Sequence, residues 1–146
     1  MKPMANKSMR PMANKSLQQH AQSATPAGEL LAEISRSMVQ LYKELYGKGP
    51  TKARTHLSDD LVVCVLEGGF HRGELALFEH GQEEPVVTQR QAVQETMRDR
   101  FIELIERLVN RKVVSFISGV DAATQTSADL FVLESSASEL TGRLDP

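Results

Sequence analysis

The stretch LVVCVLE, Leu61 to Glu67, constrains the fold more than any other part of this chain. Six apolar side chains in succession, three of them valine, suit a β-strand, and the run is far short of the ~20 residues a membrane helix needs. A strand apolar at almost every position predicts a central place in a sheet, with both faces covered. Gly68-Gly69 ends it.

The flanks supply the cover. Thr25-Pro26 suits a helix start, and Leu30, Ile34, Met38, Leu41 and Leu45 recur at helical spacing after it. Gly47 stands where a left-handed cap is expected, and Pro50 prevents continuation. Beyond the strand, a short helix is predicted over Arg72–His80, ending at Gly81. A long one runs from Pro85 to Val109, with Val86, Val93, Met97, Phe101, Leu104, Ile105 and Leu108 inward and Arg90 among the outward charges. Asn110 caps it. Lys112–Ser118 and Leu130–Glu134 read as strands of a hairpin joined by a polar loop, Asp121–Ser127. The expected fold is α/β, an α+β two-layer domain. It has a small three-stranded sheet covered by two long helices, in the order α-β-α-α-β-β. Sheet edges would stay exposed, and a homodimer is a natural way to cover them.

The 146 residues suit one domain over residues 26–135. Residues 1–25 read as a disordered basic tail carrying a duplicated octapeptide, PMANKSMR then PMANKSLQ. Residues 136–146 read as a frayed end. The four bases before Glu29 leave −6 on the remainder of a chain whose net charge is −2, so nothing attracts it globally to nucleic acid. Cys64 is the lone cysteine, which excludes an internal disulfide and a cysteine-based zinc site and suits a reducing cytoplasm. No metal or cofactor is expected.

Candidate chemistry concentrates in two glycine-rich turns. In Gly47-Lys48-Gly49-Pro50, followed by Lys52 and Arg54, backbone N–H groups could turn inward as an anion nest. The alternative is a helix stop and a solvated basic loop. No Walker pattern is present. In EGGFHRGE, Glu67, His71, Arg72 and Glu74 stand between a strand end and a helix start, where ligands often meet α/β sheets. A tight turn with charges toward water is the other reading. Asp59-Asp60 could bind a cation or neutralise Lys52 or Arg54, or simply make the turn before the strand. Cys64 is expected buried and inert.

The run LYKELYGKGPTKARTHLSDDLVVCVLEGGFHRGELAL, with MRDRF, RKVVSFISG and LFVLE, resembles the bacterial domain family named after MpsC of the Na+-translocating membrane-potential-generating system. The resemblance covers residues 28–134. It implies a cytoplasmic, non-enzymatic accessory protein of an ion-transport or inorganic-carbon-uptake system, lying soluble or at the inner membrane face. The partner would be a membrane transport subunit or a small anion. Tyr46, Gly47, Lys48, Gly49, Pro50 and Arg54 match one signature, Glu67-Gly68-Gly69 a second, and Arg98 and Arg111 lie in matching stretches. The expected binding set is therefore Tyr46 to Pro50, Lys52, Arg54, Asp60, Glu67, Gly68 and Gly69. A nucleic-acid module clamping phosphate with its Gly-rich loop is the alternative, opposed by the acidic domain and by a loop that joins a helix to a strand rather than two helices. An enzyme using Lys48, Arg54, Asp60 and Glu67 ranks last, because so small a sheet leaves little room for a pocket.

Overall fold

The computed structural model describes residues 25–135, so both predicted tails lie outside the described residues. The elements are α1 (Pro26–Tyr46), β1 (Lys52–Ser58), β2 (Leu61–Glu67), α2 (Arg72–Glu79), α3 (Glu83–Thr96), α4 (Arg98–Val109), β3 (Val113–Asp121) and β4 (Thr126–Leu133). The four strands form one antiparallel sheet in the order β1-β2-β4-β3. The α+β class and the final hairpin stand as expected. The three-strand count and the element order do not.

The missing strand is β1. KARTHLS carries three bases and reads as loop, but only Thr55 among its seven residues is buried. A strand at the sheet edge needs little apolar content. Its register along the whole of β2, from Lys52↔Glu67 to Ser58↔Leu61, provides the order. Asp59-Asp60 is the hairpin turn between them, with Asp59 in the left-handed region (φ 52).

A second correction concerns the long helix. It breaks at Met97 (φ −99, ψ 16), where α3 ends and α4 begins. Splitting it lets α3 bury Val86, Arg90 and Gln94 while α4 buries Phe101, Leu104 and Ile105. Arg90, expected toward water, is only 2% exposed. Asn110 does close α4, in the left-handed conformation (φ 55).

β2 is central, but it is not covered on both faces. Its burial alternates, with Val62, Cys64 and Leu66 inside and Leu61, Val63 and Val65 half-buried on the other side. The core therefore lies on one face of the sheet. α1 contributes Ile34, Met38, Leu41 and Tyr42 to it. Aromatics are few, yet they are concentrated there. Phe101 meets Tyr42 edge-on at 5.8 Å and stacks on Phe116 at 5.4 Å, and Phe116 stacks on Phe131 at 4.9 Å.

Candidate functional site

The two glycine-rich turns meet at one end of the sheet. Gly47, φ 79, ends α1 and donates its N–H to Lys43 O at 2.9 Å. Thr51 N donates to Glu67 O and Gly68 N to Gln125 O, both at 2.9 Å. Gly69 lies flat against the other turn: a Cβ there would come within 2.8 Å of Pro50 N and 3.0 Å of Gly49 C, and its φ is +83. Gly69→Ala is accordingly expected to cost at least about 1–2 kcal/mol from the left-handed backbone alone, with the turns forced apart besides. Chemical denaturation measures it, and an unchanged midpoint would show that the turns are not packed this way.

Beneath the turns lies a buried cation. The Arg90 side chain donates from Nε to Glu74 Oε2 at 2.8 Å and from Nη2 to Glu74 Oε1 at 2.7 Å and Gly69 O at 3.0 Å. Its guanidinium lies 4.1 Å from the ring centres of both Tyr46 and Phe70, a double cation–π contact. Tyr46 OH donates back to Arg90 O at 3.3 Å. Burial pushes the Tyr46 hydroxyl up to about 12. Glu74 is also the third residue of α2, where it accepts from His71 N at 3.0 Å while its own N–H donates to His71 Nδ1 at 3.3 Å, a reciprocal cap with histidine in the first position. Burial opposes the charge on Glu74, but the hydrogen bonds and the positive charge of Arg90 outweigh it and hold its pKa below the ordinary value.

This clamp connects residues from both signatures, and it presents two cations that make no ion pair among the described residues. Lys48 from the first turn and Arg72, the first residue of α2, line a hollow of about 380 Å³ with Leu75, Ala76 and Glu79. The remaining candidates are elsewhere. Lys52 and Arg54 lie on β1, each 3.9 Å from Glu67 Oε2, a separation that contributes little at the surface. Asp60 is at the far end of the hairpin, paired not with them but with Arg111, which lowers its pKa. Arg111 also donates to Asp59 O and Glu134 O, and Arg98 donates to Phe116 O at 3.1 Å, so both arginines tie secondary elements together.

A second polar group, absent from the sequence expectations, crosses the core. Thr55, Cys64, Asp129 and Ser118 sit opposite one another across β1, β2, β4 and β3. Asp129 is fully buried and accepts from Tyr42 OH at 2.6 Å, and Tyr42 OH accepts from Gln94 Nε2 at 2.7 Å. Thr55 Oγ1 bonds both Ser35 Oγ at 2.7 Å and Cys64 Sγ at 3.6 Å. Asp129 Oδ1, Ser118 Oγ and Gln94 Oε1 meet no partner in full hydrogen-bond geometry, although the Ser118 hydroxyl is near enough to Asp129 to favour its charged form. Burial raises the Asp129 carboxyl to about 6 against the help of the Ser118 and Tyr42 hydroxyls, and it pushes the Cys64 thiol up to about 12, so that thiol is a poor nucleophile.

No described helix is long and apolar enough to cross a membrane, and no group of three or more His, Cys, Asp or Glu among the described residues is placed to hold a metal ion. A family model described as Na+-translocating membrane potential-generating system (MpsC) matches residues 26–135. No curated protein and no solved structure matches the chain significantly.

Proposed function

The chain belongs to the MpsC family, and from that premise we propose that it is a non-enzymatic accessory protein of a Na+-translocating membrane system, docking an acidic segment of a membrane subunit through the Gly47–Pro50 part of the predicted Gly47–Arg54 loop. The hollow beside that turn carries the reading. Lys48 and Arg72 bring two uncompensated cations to its rim, Leu75 and Ala76 give it an apolar floor, and Glu79 can receive a base from the partner. Tyr46, Gly47, Gly49, Pro50, Gly68 and Gly69 then serve to hold Lys48 in place. A rigid, shallow site with two charges and a small floor suits recognition of a short segment better than it suits chemistry on a substrate, which needs groups converging on a reacting atom.

The test is cross-linked capture from native cells by the wild type and by Lys48→Glu/Arg72→Glu, half of each sample treated with nuclease. A membrane transport subunit recovered by wild type, lost at least tenfold in the double variant and indifferent to nuclease, is expected. Both residues are exposed, so the variant should melt as the wild type does. Equal recovery by the variant would contradict the reading. Recovery that disappears with nuclease would turn the hollow into a phosphate site, and competition by inorganic phosphate alone would make its ligand a small anion.

A further inference from the structure

Helices cover one face of the sheet, and the registers define what the other face carries. Its centre is aliphatic: Leu61, Val63 and Val65 on β2 pair with Val132, Leu130 and Ala128 on β4, and Leu130 pairs in turn with Ile117 on β3. Ile117 is 59% exposed, as is Val114 at the bulge where the β3–β4 register shifts. An antiparallel sheet that faces water on one side carries polar residues there. This one has an apolar middle in the place where they would stand. Charge lies along the β1 edge, where Lys52 and Arg54 share this face with His56, and at one end, in the row Lys52–Glu67–Thr126–Asp121.

We propose that this face is the interface with a second copy of the chain, the two sheets packing face to face about a two-fold axis that runs parallel to the strands. The charges select that occupant and that axis. Lys52 is on the β1 edge and Asp121 on the β3 edge, in the same row. Rotation about an axis along the strands lays each edge on the opposite edge of the other copy. Lys52 then faces Asp121 of the second copy twice, while Val63 meets Leu130 of that copy at the centre. The other in-plane axis would lay β1 on β1 and set Lys52, Arg54 and His56 against their own kind. Packed sheets keep their strands within about 30° of alignment, so the rows stay in register over the few residues involved. The Lys48–Arg72 hollow lies outside the interface, and the two proposals can fail separately.

Sedimentation equilibrium of the full chain tests the state, and directed cross-linking tests the axis. The wild type is expected to dimerise reversibly, and Ile117→Glu to be monomeric with unchanged far-ultraviolet dichroism. Facing residues of packed sheets lie about 10 Å apart, too far for a direct disulfide, so the probe is a short bifunctional maleimide that spans that gap. It should join a mixture of Lys52→Cys and Asp121→Cys chains into a covalent heterodimer, while either variant alone, its thiols on opposite edges of the pair, stays uncross-linked. Cys64 is buried and does not compete. A monomeric wild type, a dimer that survives Ile117→Glu, or Lys52→Cys chains that cross-link to each other would each overturn the proposal. In the first case the face belongs to another occupant, such as residues 1–24 or a different protein.

Discussion

Arg90→Ala is expected to destabilise the domain by about 3–5 kcal/mol, the usual cost of leaving a buried charge without its partner, and to lower the melting temperature by at least about 12 °C. The reason is in the packing. Glu74 is 5% exposed and makes two hydrogen bonds to Arg90, so truncating the arginine leaves a desolvated carboxylate beneath the turns. Tyr46 and Phe70 lose the plate between them, and Gly69 O loses its donor. Pairing Arg90→Met with Glu74→Leu should recover more than half of the loss, since replacing both charges with apolar groups removes the desolvation problem. Should Arg90→Ala melt within a few degrees of wild type, the clamp is not what holds the two signatures together.

The second large effect concerns Asp129. Its carboxyl titrates near 6 in the folded chain, against an ordinary value of 3.8. A raised acid binds its proton more tightly when folded. Its contribution is therefore fully favourable below the ordinary value and is lost as pH rises through about 6, a change of about 3 kcal/mol for two units at ~1.36 kcal/mol each. Asp129→Asn keeps an oxygen for Tyr42 to donate to and gains an amide that can donate to Ser118 Oγ. The variant should be more stable than wild type at pH 7.5, by up to that amount, and the difference should shrink toward pH 4.5. Carboxylates with lowered values, such as Glu74 and Asp60, act the opposite way in both proteins, so the difference between the two curves isolates Asp129. A variant less stable than wild type at every pH would mean that the negative charge itself is needed, most simply by a bound cation.

Where the sequence was legible, one physical signal dominated. The 3.6-residue stripe of α1, the unbroken run of β2, the glycine stop at Gly47 and the left-handed Asn110 each depend on a local rule that tertiary packing did not oppose. β1 was hidden because its inward positions, Ala53, Thr55 and Leu57, carry too little apolar surface to stand out among three bases. The break at Met97 has no glycine or proline to announce it. Asp129 falls just outside the expected strand, which starts at Leu130, whereas β4 starts at Thr126. Counting back by twos from Leu133 and Phe131 would have placed it inside.

The candidate turn was legible as a place but not in its packing. Its composition pointed to Gly47–Arg54, and the second signature to Gly68-Gly69, but nothing local says that they touch. Their partner Arg90 lies 36 residues beyond Arg54 and looks like any helix-surface arginine. Its position four residues after Val86 and three before Val93 was the available clue, since that spacing puts it on the inner face. Arg72, which shares the hollow with Lys48, belongs by sequence to the second turn, and nothing local links it to the first.

The central claim is that the glycine-rich turn is a rigid joint, fixed from below by Arg90, that presents Lys48 rather than a mobile loop that folds around a ligand. Amide hydrogen exchange tests it most directly. The N–H of Thr51 is hydrogen-bonded to Glu67 O across the two turns, and that of Gly68 to Gln125 O between β3 and β4; both should exchange as slowly as those of β2, opening only with global unfolding, and Arg90→Ala should release them selectively. Fast exchange of Thr51 and Gly68 in the wild type, beside a protected β2, would contradict the claim and make the turn a mobile element.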